Sequence, residues 1–154
     1  MSLWDWSVRA YAAEPVRIAC LDLQDAQGQN VPLLLWAAWL AATGRPLDAD
    51  LIDAGCDTAR VWQDGAVAPL RAVRRALKSR MPDMDDDARE AVRAQVKAVE
   101  LDAEHRLLIA LEALSPAPDG DPRPALPALV AVARVWGEVT PRAALALLAE
   151  RLPA

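Results

Sequence analysis

The sequence predicts an all-α protein: a single-domain bundle of about seven or eight helices around a buried central helix near residues 31–43. Three observations carry that prediction. Apolar residues recur at three- and four-residue intervals along most of the chain, the spacing of one helical face. Capping residues and stops punctuate the pattern, with Ser2, Asn30, Asp48 and Thr140-Pro141 at starts and Gly28, Gly44 and Gly137 at ends. No segment alternates in the way a strand would, and no internal repeat is present.

Size and composition agree. A chain of 154 residues suits one domain and is long enough to bury about two-thirds of its unfolded surface. Hydrophobic residues make up 54% of it, above the usual ~45–50%. Phenylalanine is absent, so six tryptophans (Trp4, Trp6, Trp36, Trp39, Trp62, Trp136) take the large aromatic positions.

The elements follow in order. Ser2 caps a first helix with Asp5 at its third position, and Trp4, Val8 and Tyr11 share one face while Leu3, Trp6 and Ala10 share another. Pro15 suits the first turn of a second helix, striped by Val16, Ala19, Cys20 and Leu23 and stopped at Gly28. Asn30 caps the third, whose body from Leu33 to Ala42 has no polar side chain on any face. A helix apolar all round belongs at the centre of a protein. Asp48 caps a fourth helix that Gly55 weakens towards its end, and Gly65 and Pro69 must kink or break the helical region from 57 to 78 into two pieces. In the second piece Val67, Leu70, Val73 and Leu77 face inward, beside a basic stripe of Arg71, Arg74, Arg75 and Lys78.

Asp85 to Asp87 then favour a helix start. The long helix that follows, to about Leu114, carries Ala88, Val92, Val96, Val99, Ala103, Leu107, Leu111 and Leu114 as its apolar stripe. Residues 115–127, with five prolines, read as an internal linker before a C-terminal pair of helices at 126–138 and 141–152.

Several function classes are excluded or weakened. A net charge of −5 gives no overall attraction to nucleic acid or to anionic membranes. The longest strongly apolar run would span ~18 Å as a helix, short of the ~30 Å a bilayer requires. No signal peptide is visible, and Cys20 and Cys56 read as free buried thiols in a reducing cytoplasm. No zinc spacing, glycine-rich phosphate loop or nucleophile elbow occurs, so no cofactor or metal is expected. Asp22 and Asp25 make the D-x-x-D spacing that holds magnesium and diphosphate in helical isoprenoid-type enzymes, but such enzymes need a second acidic pair across a cavity, and the one nominee, Asp83 to Asp87, sits at a helix start with a simpler job. His105, the only histidine, sits between Glu104 and Arg106 on the charged side of its helix, where a solvated side chain is expected.

The candidate ligand or partner site is the polar elbow after the second helix. Gln24, Asp25 and Asn30 could present amides and an acceptor beside Trp36, with Arg71, Arg74 and Arg75 reaching in; the plainer alternative is that the elbow groups only cap helix ends. The arginine stripe leaves room for a small anionic ligand, while the acidic run 83–90 beside it argues against nucleic acid. Trp4, Trp6 and Trp62, each near a helix end or break, are expected at the surface, where tryptophan favours an interface.

Ser2-Leu-Trp-Asp-Trp, Ala19-Cys-Leu-Asp-Leu-Gln-Asp-Ala-Gln-Gly, Val31-Pro-Leu-Leu-Leu-Trp and Pro69-Leu-Arg-Ala-Val-Arg-Arg-Ala-Leu-Lys resemble a family of small proteobacterial proteins, a domain of unknown function. The resemblance spans roughly residues 2–78. It implies a bacterial cytoplasmic protein and brings no activity with it. The residues themselves lead to a non-enzymatic module that binds another protein or self-associates, with a small-molecule pocket or minor enzyme at the elbow as the alternative.

Overall fold

A computed structural model describes residues 1–153. Its described residues form eight α-helices and no strand: α1 Leu3–Ala12, α2 Glu14–Asp25, α3 Val31–Ala42, α4 Ala49–Trp62, α5 Ala68–Ala76, α6 Asp86–Leu114, α7 Ala125–Trp136 and α8 Arg142–Arg151. A π turn, Gln63–Val67, joins α4 to α5.

The starts follow the sequence signals. The Ser2 hydroxyl accepts from the Asp5 amide at 3.1 Å, Asn30 Oδ1 from Leu33 at 3.0 Å and Asp48 Oδ1 from Leu51 at 2.8 Å. Each cap satisfies one of the amide donors that a helix start leaves unpaired.

Helix α3 is the hub, packing against α1, α2, α4, α6 and α7. Every residue from Val31 to Ala41 is buried, and Trp36 and Trp39 are among the largest fully enclosed side chains. Burial of a leucine or larger side chain stabilises by roughly 1.5–3 kcal/mol, so this one helix anchors much of the core. Helix α8 closes the far side against α2 and α7.

The proline-rich stretch is bound to the end of α3. Asp119 and Gly120 donate their amides to the Gly44 carbonyl (2.9 and 3.2 Å), Arg123 donates to Ala41, and the Arg45 guanidinium donates to Pro116 and stacks on Trp39. The last carbonyls of α3 thereby find donors. Gly44 has φ +65°, and a side chain there would run into the Gly120 carbonyl, so both conformation and space require glycine.

Three local expectations are corrected, and a fourth is met through a π turn. Gly55 does not end α4, which runs on to Trp62; a Cβ at Gly55 would overlap the Trp36 ring, so the glycine makes room for that ring. Gly65 and Pro69 do divide the next region into two pieces, α4 and α5, with no loop between them. The π turn carries the helix through, and Pro69 falls in the first turn of α5, where its missing N–H costs little. Val73 is exposed, and α5 buries no residue. On α6, Ala103, Leu107 and Leu111 are buried but Val92 and Val99 are half-exposed. The N-terminal half of α6 pairs with α5 rather than with the α3 core, and a two-helix layer leaves one side uncovered. No described helix is long and apolar enough to cross a membrane.

Candidate functional site

Two faces of α1 find different surroundings. Leu3, Trp6 and Ala10 enter the core, while Trp4 and Val8 stay largely exposed. Trp6, expected at the surface, is therefore buried, because it shares the inward face. Trp62 is partly buried against the core as well, although it stands at the C-terminal end of α4, next to the π turn. Trp4 alone of the three is exposed, and its ring stacks on His105 at a centroid separation of 3.7 Å. His105 is thus held against an aromatic face instead of standing free in solvent.

Between that outer face of α1 and helix α6 lies an apolar cleft of about 460 Å3. Trp4, Val8 and Tyr11 form one wall, Pro32 and Leu35 the floor, and Leu101 and Leu108 the opposite wall. Its polar members are few: Ser7, Gln24, Glu104 and the Tyr11 phenol. Ser7 is buried and its hydroxyl oxygen has no hydrogen-bond partner among the described residues. The volume falls within the ~300–1,000 Å3 typical of small-molecule sites. Grooves of about 690 and 640 Å3 flank α7 and α8, but alanine, proline and arginine dominate their walls and no buried polar residue lines them.

Gln24 and Glu104 also line a polar chamber of about 10 Å3 together with Gln29, Asn30, Gln63 and Arg71. Here the elbow and the arginine stripe do meet. Arg71 donates to Glu100 at 2.9 Å, to Glu104 at 3.1 Å and to Gln24 Oε1 at 3.3 Å, and Arg74 clasps both oxygens of Glu100. Arg75 reaches Asp25 at 3.3 Å on the surface, where such a pair contributes little. Asn30 caps α3 with its oxygen and donates to Gln63 at 3.4 Å. Trp36 is not in this cluster: it is fully buried, its ring against Gly55 and its Nε1 donating to Ser115 at 2.8 Å.

The partners of the arginines, Glu100 and Glu104, escaped the sequence reading. A signal existed. They stand four residues apart on α6, a like-charge spacing that destabilises a helix unless cations lie opposite, and they flank the buried positions Ala103 and Leu107. Their environments differ. Burial pushes the Glu100 carboxyl up, but hydrogen bonds from Arg74 and Arg71 outweigh it and hold it below the ordinary glutamate value. Burial dominates at Glu104 and, despite Arg71, raises its carboxyl above that value. Burial likewise pushes up the Tyr11 phenol and takes the Cys20 and Cys56 thiols to about 12 and about 11. No group of three or more His, Cys, Asp or Glu among the described residues could hold a metal ion.

Fold and cleft define an all-α protein with one aromatic-rimmed apolar cleft set against a buried arginine–glutamate cluster. The chain belongs to the family described as "Protein of unknown function (DUF2390)", whose model matches residues 2–111. That range takes in α1 to α6 up to Leu111, and so both walls of the cleft and the whole cluster. No curated protein and no solved structure matches the chain.

Proposed function

We propose that this is a non-enzymatic binding protein that takes an apolar small molecule into the cleft between α1 and α6. The observation that carries the reading is the cleft itself: about 460 Å3, walled by Trp4, Val8, Tyr11, Leu35, Leu101 and Leu108, with a few polar groups at one side. Ligand sites share that pattern of apolar walls and sparse, placed polar groups. The absence of a nucleophile–base pair in the cleft favours binding over catalysis. The reading keeps Gln24 from the elbow and moves the weight from Asn30 and Trp36 to Glu104 and the α1 face. It also takes the protein to work in the reducing cytoplasm of a bacterium, where buried free thiols such as Cys20 and Cys56 persist.

A second reading, a partner protein laying an apolar side chain on the same surface, draws on the exposure of Trp4, Val8 and Leu101 around the mouth. Native mass spectrometry of protein purified gently from its own host separates the two. A bound mass of a few hundred daltons, lost in a Leu35→Trp variant that fills the floor, is the expected result. A mass corresponding to a second protein or a dimer would replace the ligand reading with the interaction one, and a ligand that survives the filled floor would move the site elsewhere.

A further inference from the structure

The polar side of the cleft determines what head group an apolar occupant can carry, given that the cleft is a ligand site. Two guanidiniums, Arg71 and Arg74, face two carboxylates, Glu100 and Glu104, and every guanidinium is already engaged. An incoming carboxylate or phosphate would find no cation among the residues lining the cleft and would sit beside Glu104. An incoming ammonium could reach the free Glu104 oxygen only by adding a positive charge to a cluster in which Arg71 and Arg74 already balance Glu100 and Glu104. Either charge would be drawn out of water with incomplete compensation, the most costly kind of burial.

Uncharged hydrogen-bonding capacity is what remains. Arg71 occupies Glu104 Oε1, leaving Oε2 as an acceptor free among the described residues. Ser7 Oγ, buried and without a partner, can donate or accept. We infer that the cleft selects an uncharged amphiphile, an apolar body carrying one hydroxyl or amide head, over acids and amines of the same size. The small anionic ligand that the arginine stripe allowed in sequence loses its cations to Glu100 and Glu104.

Calorimetric titration of the full chain at neutral pH with 1-octanol, octanoate and octylamine tests this directly. The three probes share one apolar body and differ only in head charge. Octanol is expected to bind at least about tenfold tighter than either charged homologue, a difference of ~1.4 kcal/mol. A Glu104→Gln variant, which keeps a hydrogen-bonding head contact, is expected to hold octanol within about threefold, a shift below ~1 kcal/mol. Val8→Trp, a change at a half-exposed rim position, should obstruct the mouth and weaken all three without unfolding the protein. Equal or tighter binding of octanoate or octylamine, removed by Val8→Trp, would overturn the head-group inference while leaving the site in place. Failure of all three probes to bind, or binding indifferent to Val8→Trp, would overturn the site itself.

Discussion

Alanine at Gly55 and at Gly65 should shift stability in opposite directions. By helix propensity alone each Gly→Ala change stabilises by up to ~1 kcal/mol, and neither glycine has a positive φ. At Gly65 nothing lies within 4 Å of the new Cβ, so that gain should be realised. At Gly55 the Cβ would stand 2.6 Å from a carbon of the Trp36 ring. The ring cannot simply yield, because Trp36 is fully enclosed and its Nε1 is tied to Ser115 at 2.8 Å. Overpacking costs about 1–3 kcal/mol and a weakened hydrogen bond about 1 kcal/mol; less the propensity gain, Gly55→Ala should lose about 1–3 kcal/mol. For a domain of this size that lowers Tm by roughly 2–4 °C per kcal/mol, while Gly65→Ala should raise it by a few degrees. Thermal melts followed by circular dichroism, with tryptophan fluorescence reporting on Trp36, measure both. A Gly55→Ala protein at or above the wild-type Tm would refute the close approach of α4 to α3.

The buried cluster makes further predictions. Arg71→Met should cost about 3 kcal/mol in urea unfolding by stranding Glu104 and leaving Glu100 to Arg74 alone, and adding Glu104→Gln should recover part of that loss; additive losses would refute the shared cluster. The pH dependence has two limbs. Glu100, held below its ordinary value by Arg74 and Arg71 against burial, contributes stability present above that value and lost as pH falls through the folded one, so Glu100→Gln should flatten the acid limb of a Tm–pH curve. Glu104, raised by burial, contributes stability that is complete below its ordinary value and is lost as pH rises through the folded one, so Glu104→Gln should flatten that upper limb; an unchanged slope would contradict its environment. With their thiols pushed up to about 12 and about 11, Cys20 and Cys56 should resist a thiol-reactive dye at pH 8 until denaturant is added, and rapid labelling of the folded protein would refute their burial.

The parts of the fold legible in the sequence are those that local chemistry decides. Ser2, Asn30 and Asp48 mark helix starts because a side-chain oxygen three residues ahead of an amide caps it whatever the surroundings. The all-apolar run from Val31 to Ala41 reads as central because nothing else can take it. What escaped is decided between distant residues. Gly55 resembles a weakness until the Trp36 ring arrives over it. Arg71 and Arg74 resemble a free basic stripe until α6 brings Glu100 and Glu104 opposite. The site was half legible for the same reason: Gln24, Arg71 and Arg74 do converge, but the apolar wall that gives them something to border comes from how α1 lies along α6.

That wall bears on whether the cleft is incidental. Helix α1 satisfies its structural role through Leu3, Trp6 and Ala10, which are buried, whereas Trp4 and Val8 are 38% and 49% exposed. Replacing Trp4 and Val8 with polar residues would therefore remove little of the core, and a helix under selection for solubility alone would carry polar groups there. Instead the outer face of α1 is aromatic and aliphatic where it meets Leu101, and a buried, unpartnered serine and a carboxylate raised by burial stand beside it. An unpartnered buried hydroxyl costs about 1–3 kcal/mol, and a desolvated carboxylate adds to that cost. Both become favourable when an occupant with a hydrogen-bonding head completes them. The features that weaken the empty protein are those that a bound neutral amphiphile would turn to its advantage, so such a ligand should raise Tm in Trp4- and Val8-dependent fashion, and octanoate should not.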